Sequence, residues 1–357
     1  MDVVAGCEGM NVKGIKRAKD LHFEVPEVLA EEIDNLVDAM ERDDRILDCY
    51  MAQLEGSARM VEDEYDRWLY EYYLLGGWKA DVVAHATSAN RSALEDLLRE
   101  YKTLGIGEQL DYGKLTLYSI VTHSTAIEGS SVTEIENRRL FEEGIRPNKP
   151  VAEQWMNLDL KAAYDEAFRI ADARSPVTVE VLCQLAARVM QNTGSKYSTA
   201  LDDFDAAKGE LRRINVRAGR DGESYMAWQK VPVRLKDFCA WLNGRRERFS
   251  GMTPGQIYNT SFEVHYHLAR IHPWADGNGR MARLLMNLIQ QEAGLVLSIV
   301  KSEKRAQYIE SLAKAGDSKE PSVFLNFMLR HHAENIQEQI RAYRHSIARD
   351  VSGSSCK

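Results

Sequence analysis

The sequence is poor in the residues that build clipped or extracellular scaffolds. Its 357 residues include five cysteines (Cys7, Cys49, Cys183, Cys239 and Cys356), an odd number, widely spaced and with no CxxC pair. That spacing excludes a disulfide frame and a cysteine zinc site, and reads as reduced cytoplasmic thiols. Excess positive charge is lacking as well. Against 46 Lys and Arg stand 54 Asp and Glu, a net charge of −8, so nucleic acid is not an expected partner. No apolar run is long: stretches such as Leu295 to Val300 fall far short of a membrane span. The first twenty residues have no extended apolar core and do not read as a signal peptide. A cytoplasmic protein without a membrane partner is the expectation. Repeats and low-complexity tracts are absent too.

What is present is ordinary globular material, 44% hydrophobic and 28% charged, in a length that suggests two or three folding units. Helical periodicity dominates. Val28, Ile33, Leu36, Val37 and Met40 fall at three and four spacing, and two helices are read over residues 27–75, stopped by Gly76-Gly77. Ser92-x-x-Glu95 reads as a capping box opening a helix that stops at Gly105. Thr133-x-x-Glu136 reads as another, for a helix ending by Gly144, and residues 151–172 and 177–193 follow as two more helices. One segment breaks the pattern. GELRRINVRAGRDGESYMAW (209–228) alternates around Ile214, Val216 and Ala218 and turns at Gly219-Arg220-Asp221-Gly222. It reads as a lone β-hairpin, with an irregular surface loop as the other reading. Thr253-Pro254-Gly255-Gln256 then opens a helix that lines up Ile257, Val264, Leu268 and Ile271.

That helix runs into IHPWADGNGRMAR (271–283), and a second helix leaves it with Met281, Leu284, Leu285, Leu288 and Ile289. Gly277 and Gly279 let backbone amides turn inward. The start of the second helix adds unpaired N–H groups and a positive dipole end, which together make a concave anion site. Arg280 and Arg283, three apart, reach the same region, so an oligophosphate is the natural occupant. Asp276 would be wrong for a bare phosphate but right for a magnesium ion bridging phosphates. His272 is placed to take a proton from an attacking hydroxyl. Gly277-x-Gly279-x-x-Ala282 matches part of a dinucleotide fingerprint, but that motif must follow a strand in a βαβ unit, and here a helix precedes it. A zinc site on His265, His267 and His272 lacks an HExxH pattern or a cysteine partner.

At these residues the sequence resembles the Fic domain family, whose signature runs H-x-F-x-D/E-G-N-G-R-x-x-R. His272, Asp276, Gly277, Asn278, Gly279, Arg280 and Arg283 match, and Trp274 stands where the family usually has Phe. The resemblance covers roughly residues 115–335. It implies an all-α fold with a small hairpin and transfer of AMP from ATP to a hydroxyl of a protein target, with pyrophosphate leaving. His272 would be the general base, Asp276 the Mg²⁺ ligand, and Gly277, Asn278, Gly279 and Arg280 the phosphate cradle. Relatives that transfer other groups tend to alter this loop. The hairpin resembles the family's flap, which holds the target by strand addition, at Val216, Arg217, Ala218 and Gly219. Tyr308 resembles a tyrosine near the adenine.

Upstream, residues 124–129 (Ser-Thr-Ala-Ile-Glu-Gly) fit the family's inhibitory pattern S/T-x-x-x-E-G/N, carried by Ser124, Glu128 and Gly129. There the glutamate pairs with the second arginine, so Glu128 is expected to reach Arg283 and to occupy the guanidinium that would hold the γ-phosphate. The resulting layout is a loose tail (1–25), an N-terminal helical region (26–114), the core (115–335) and a C-terminal helix and tail (336–357). Two other functions share these residues: hydrolysis of AMP from a modified protein, with Glu128 positioning water, and a non-catalytic nucleotide-sensing module. Self-modification, for which Tyr65 to Tyr73 offers candidates, and homo-oligomerisation stay open.

Overall fold

The computed structural model describes residues 77–199, 203–217, 224–318 and 321–354. The expected tail, the helices read over 27–75, the stretch Tyr65 to Tyr73, and Ala218 and Gly219 lie outside them. The chain divides into two compact units, residues 1–90 and 91–357. In the first, residues 77–90 are helical. In the second, Leu94, Tyr101 and Ile106 are buried in one cluster with Tyr258, Phe262 and Phe324, which draws this unit's boundary upstream of the expected residue 114.

Among the described residues the fold is helical, with one two-stranded sheet. The helices are α1 (Gly77–Thr103), α2 (Tyr112–Ile127), α3 (Glu134–Glu143), α4 (Val151–Asp172) and α5 (Val179–Val189). After the sheet come α6 (Val231–Arg246), α7 (Pro254–Ile271), α8 (Asn278–Glu292), α9 (Arg305–Ser318) and α10 (Ser322–Ser354). None of the helices among the described residues is long and apolar enough to cross a membrane.

Local chemistry sets most of the boundaries. Thr133 and Glu136 form the expected reciprocal cap of α3, and Gly144 ends that helix with φ +70°. Thr253 and Gln256 do the same for α7, with Pro254 in its first turn. Ser92 and Glu95 do not. α1 runs unbroken through both, and the Glu95 carboxylate instead accepts from the Thr253 hydroxyl (2.6 Å) and the Gly255 N–H (2.9 Å). A negative charge at the start of α7 complements that helix's dipole, so the tertiary contact outcompetes the local box.

The centre of the molecule is α8, buried all round from Arg280 to Gln290. Leu284, Leu285, Leu288 and Ile289 join Val264, Leu268 and Ile271 of α7 and Leu160, Ala163 and Ala167 of α4 in one core. Tyr258, Phe262 and Tyr266 of α7 face a second core with Met328, Leu329 and Ile336 of α10. At about 1.5–3 kcal/mol for each large apolar side chain, burial on both sides makes α7–α8 the stiffest part of the fold.

The strands β1 (Lys196–Ser198) and β2 (Asp203–Asp205) pair antiparallel, with Tyr197 opposite Phe204. They lie upstream of the expected hairpin. Among the described residues of 209–228, Arg217 bridges Ser224, the Tyr225 N–H donates to the Val216 carbonyl (3.0 Å) and the Trp228 N–H to the Asn215 side chain (3.1 Å). Arg212, which is 1% exposed, bonds to both arms of this segment. Its guanidinium donates to the Ile214 carbonyl (2.7 Å) and the Met226 carbonyl (2.5 Å), satisfying an acceptor on each.

The start of this segment is held tightly. Gly209 has φ +70°, and a Cβ there would lie 1.9 Å from the Cys183 carbonyl oxygen. Gly209→Ala is expected to lower stability by at least ~2 kcal/mol through backbone strain and overlap together. Urea unfolding of the two proteins measures this, and an unchanged midpoint would contradict the packing described.

Candidate active site

The turn from α7 to α8 is built from backbone outward. His272 closes α7 in the left-handed region (φ +52°), where its N–H still bonds the Leu268 carbonyl (3.0 Å). Gly277 precedes α8 at φ +80°, and a Cβ on it would strike the Met190 sulfur at 2.8 Å, so the position requires glycine twice over. Between them, Asn278 ties the loop shut. Its carboxamide accepts from the Trp274 N–H (3.0 Å) and donates to the Trp274 carbonyl (2.8 Å). The Trp274 ring is 1% exposed, and its indole N–H donates to the Gly209 carbonyl (3.1 Å), a bond that Phe at this position would lack. Arg212 completes the frame, its Nε donating to the His272 carbonyl (2.7 Å) and its backbone N–H to Pro273 (3.0 Å).

The two arginines of α8 are both buried but differ in how they are satisfied. Arg280 reaches the Val189 carbonyl (3.5 Å) and Asp276 (3.6 Å) at long range and the Met190 sulfur at 3.1 Å, and its Nε has no partner among the described residues. Such a guanidinium still has bonding capacity for an anion. Arg283 has little to spare. It donates to the Ser124 hydroxyl (2.8 Å), the Ser124 carbonyl (3.0 Å), the Tyr308 hydroxyl (3.2 Å) and Glu128 Oε1 (2.6 Å).

Glu128 sits at the end of α2, where Gly129 (φ +104°) turns the chain away. Its Oε1 also lies over the first turn of α8, 2.6 Å from where a Cβ on Gly279 would be. Burial works against the charged carboxylate, but Arg283, with Arg280 and Arg305 behind it, outweighs that and holds the group below its ordinary range. A fixed negative charge thus occupies the mouth of the anion site.

The His272 imidazole is held neutral. Its Nδ1 lies 3.3 Å from the Ala269 carbonyl, which can only accept, so Nδ1 carries the proton and Nε2 the lone pair. Burial pushes the imidazole down to about 4; the Ala269 bond, Asp276 and Glu128 pull it back, and Arg212 adds to the depression. The Tyr225 ring lies flat against it, with centroids 3.8 Å apart.

Of the residues singled out from sequence, the structure brings together His272, Asp276, Gly277, Asn278, Gly279, Arg280 and Arg283 in α8 and its loop, and Ser124, Glu128 and Gly129 in the α2 terminus. Val216 and Arg217 lie in the bridged segment above. Tyr308 is 2% exposed, its hydroxyl meets His265 Nε2 (2.8 Å) and Arg283, and the Arg283 guanidinium lies 5.8 Å over its ring. It braces Arg283 from within the core. Arg212 and Tyr225 were missed. Their contacts with His272 span 60 and 47 positions, and nothing local marks a surface-type residue for burial.

The His272 geometry predicts an imidazole that stays neutral, protonated on Nδ1, from pH 5 to 8, and charges only as the pH falls toward about 4. Nitrogen NMR of the labelled protein reads both features. A midpoint near the ordinary 6.5, or a proton on Nε2, would contradict the geometry.

Comparison with known proteins places this geometry. Residues 176–290 match the model of the Fic/DOC family. The protein adenylyltransferase fic-1 of Caenorhabditis elegans is 29% identical over 236 residues, which cover 65% of this chain and 42% of that protein. The protein adenylyltransferase Fic of Drosophila erecta is 29% identical over 209 residues, covering 57% and 38%. The chain thus spans less than half the length of these curated relatives. Among solved structures, residues 134–508 of C. elegans Fic-1 align over 90% of this chain and 89% of that one, with a TM-score of 0.61 at 23% identity, which shows the shared fold. The matched segment takes in the signature loop, most of α8 and the Arg212 clamp, and over these residues the chain is similar to the Fic/DOC family.

Proposed function

We propose that this protein is an autoinhibited adenylyltransferase, moving AMP from ATP to a side-chain hydroxyl of a protein target. The observation that carries the reading is the contrast between Arg280, whose buried Nε has no partner among the described residues, and Arg283, whose capacity is taken up by Glu128, Ser124 and Tyr308. The similarity to proteins named as adenylyltransferases supports it.

In this reading the N-terminal turn of α8, Gly277 to Arg280, receives the phosphates through backbone N–H groups and the Arg280 guanidinium. His272 Nε2 takes the proton of the target hydroxyl as its oxygen bonds to the α-phosphorus. The bond from that phosphorus to the bridging oxygen breaks, and pyrophosphate leaves. The target's backbone adds beside Val216 and Arg217, which keeps its hydroxyl within reach of the base.

A magnesium ion fits the residues present in a limited way. No group of three or more His, Cys, Asp or Glu among the described residues could hold a metal. Asp276 alone stands at the rim, with its side chain 60% exposed and both its near contacts, Gly277 N–H and Arg280, falling on Oδ1. One carboxylate suits an ion that takes its other ligands from phosphates and water, and that would supply charge neutralisation on the nucleotide.

Glu128 is the brake. Its carboxylate holds Arg283 and lies over Gly279, so negative charge already stands where a terminal phosphate must go. Incubation of wild type, Glu128→Gly and Glu128→Gly/His272→Ala with α-labelled ATP and Mg²⁺ tests this, with lysate supplying targets. Label is expected to rise at least about tenfold in the single variant, the scale of one released charge-assisted contact, and to fall by about 10²–10⁴ in the double variant. No label in any lane would sink the transferase reading. Loss of AMP from a pre-modified protein with wild type, abolished by Glu128→Gly, would replace it with the hydrolase. Because His272 is neutral above about 4, the rate of the single variant is expected to be flat from pH 6 to 8 and to fall only in acid.

A further inference from the structure

The imidazole of His272 needs more to fix it than its hydrogen bonds supply. Its backbone is secured by Arg212 and the α7 terminus, but a histidine's outer torsion is broad and soft. The ring's one hydrogen bond among the described residues is the long Nδ1 contact to Ala269 (3.3 Å). Such a bond leaves the plane of the ring free to swing, and with it the direction of the Nε2 lone pair. Tyr225 meets that need. Its ring lies 3.8 Å from the imidazole at an interplanar angle of 17°, half-buried, and its backbone N–H is fixed to the Val216 carbonyl (3.0 Å). A stacked ring covers a face and leaves the edges clear, so it restricts rotation without covering Nε2.

We infer that Tyr225 is a positioning residue for the base: its stacked ring sets the plane of the His272 imidazole and keeps water from one face. The inference rests on the reading of His272 as the general base. It also joins two parts of the site that the sequence presents separately. Tyr225 sits on the returning arm of the segment whose outgoing arm would receive the target peptide. A peptide that displaces the Val216–Tyr225 bond therefore moves the ring that aligns the base, so docking and alignment become one event.

The charged groups around the imidazole come from every element packed on it. Arg212 approaches from the 209–217 segment, Asp276 from the loop and Glu128 from the end of α2. Comparisons are therefore made within one background, Glu128→Gly. Tyr225→Phe keeps the flat ring; Tyr225→Leu keeps apolar bulk without a flat face; Tyr225→Ala removes both. If the ring positions the base, Phe retains kcat and the acid limb of its pH profile. Leu and Ala lower kcat by on the order of tenfold with KM for ATP unchanged, the scale of a misaligned base. Ala also moves the acid limb up by about one pH unit as water reaches the imidazole. NMR titration of His272 in the same proteins gives the second readout and needs no activity. If the background variant transfers nothing, the transferase reading fails, while the midpoints of the Phe and Ala variants still judge the stacking. Equal midpoints and equal kcat across Phe, Leu and Ala would overturn the proposal.

Discussion

The contact between Arg283 and Glu128 is the constraint around which the site is arranged. It joins the core helix α8 to the end of α2 across 155 positions of sequence, inside a region where charges are poorly solvated. A buried guanidinium cannot stand unpaired, so something must meet it, and here a carboxylate does. Ser124 and Tyr308 hold the same guanidinium through its Nε and its other terminal nitrogen, and the nitrogen that meets Glu128 also donates to the Ser124 carbonyl. The same neutralised centre explains why so much polarity is tolerated at the heart of a helical core.

Around that centre the fold is a means of holding one loop. α7 and α8 share a core on one side and α7 has a second on the other, which leaves their junction little freedom. Within it, Asn278 closes the loop on itself, Trp274 pins it to Gly209, and Arg212 fixes the His272 carbonyl. These three contacts are hydrogen-bonded from buried polar atoms, so each is directional where apolar packing is not. Together they hold the backbone of His272 in place.

Much of this was legible in sequence, and the legible parts share a cause. The caps at Thr133 and Thr253, the limits of α4 and the stop after Gly144 depend on residues within one turn of each other. The signature from His272 to Arg283 is likewise contiguous, and Glu128 was reachable because a short pattern named its partner. What was not legible is settled across the chain. Ser92-x-x-Glu95 carries all the marks of a helix start, yet Glu95 is claimed by a helix that begins at Pro254. The alternation around Ile214 and Val216 reads as a hairpin, and the sequence does not show that the Ile214 and Met226 carbonyls accept from Arg212. Tyr308 resembles a tyrosine near the adenine, and the sequence does not show that its hydroxyl is bonded to His265 and Arg283. At Glu95 a sound local reading was overruled by a hydroxyl and an N–H that needed a partner more than the local motif did.

The junction at His272 has a further property that follows from the helices alone. α7 ends there, with carbonyl oxygens turned toward the loop, and α8 begins six residues on, with N–H groups turned toward it. Each end carries roughly half an elementary charge, negative for α7 and positive for α8. His272 therefore lies at the negative pole and the turn from Gly277 to Arg280 at the positive pole of two dipoles meeting end to end. Positive charge gained at the first and negative charge gained at the second each fall at the end that favours them. The helix–loop–helix is in that sense a ready-made separator of charge, present in the backbone before any side chain is counted.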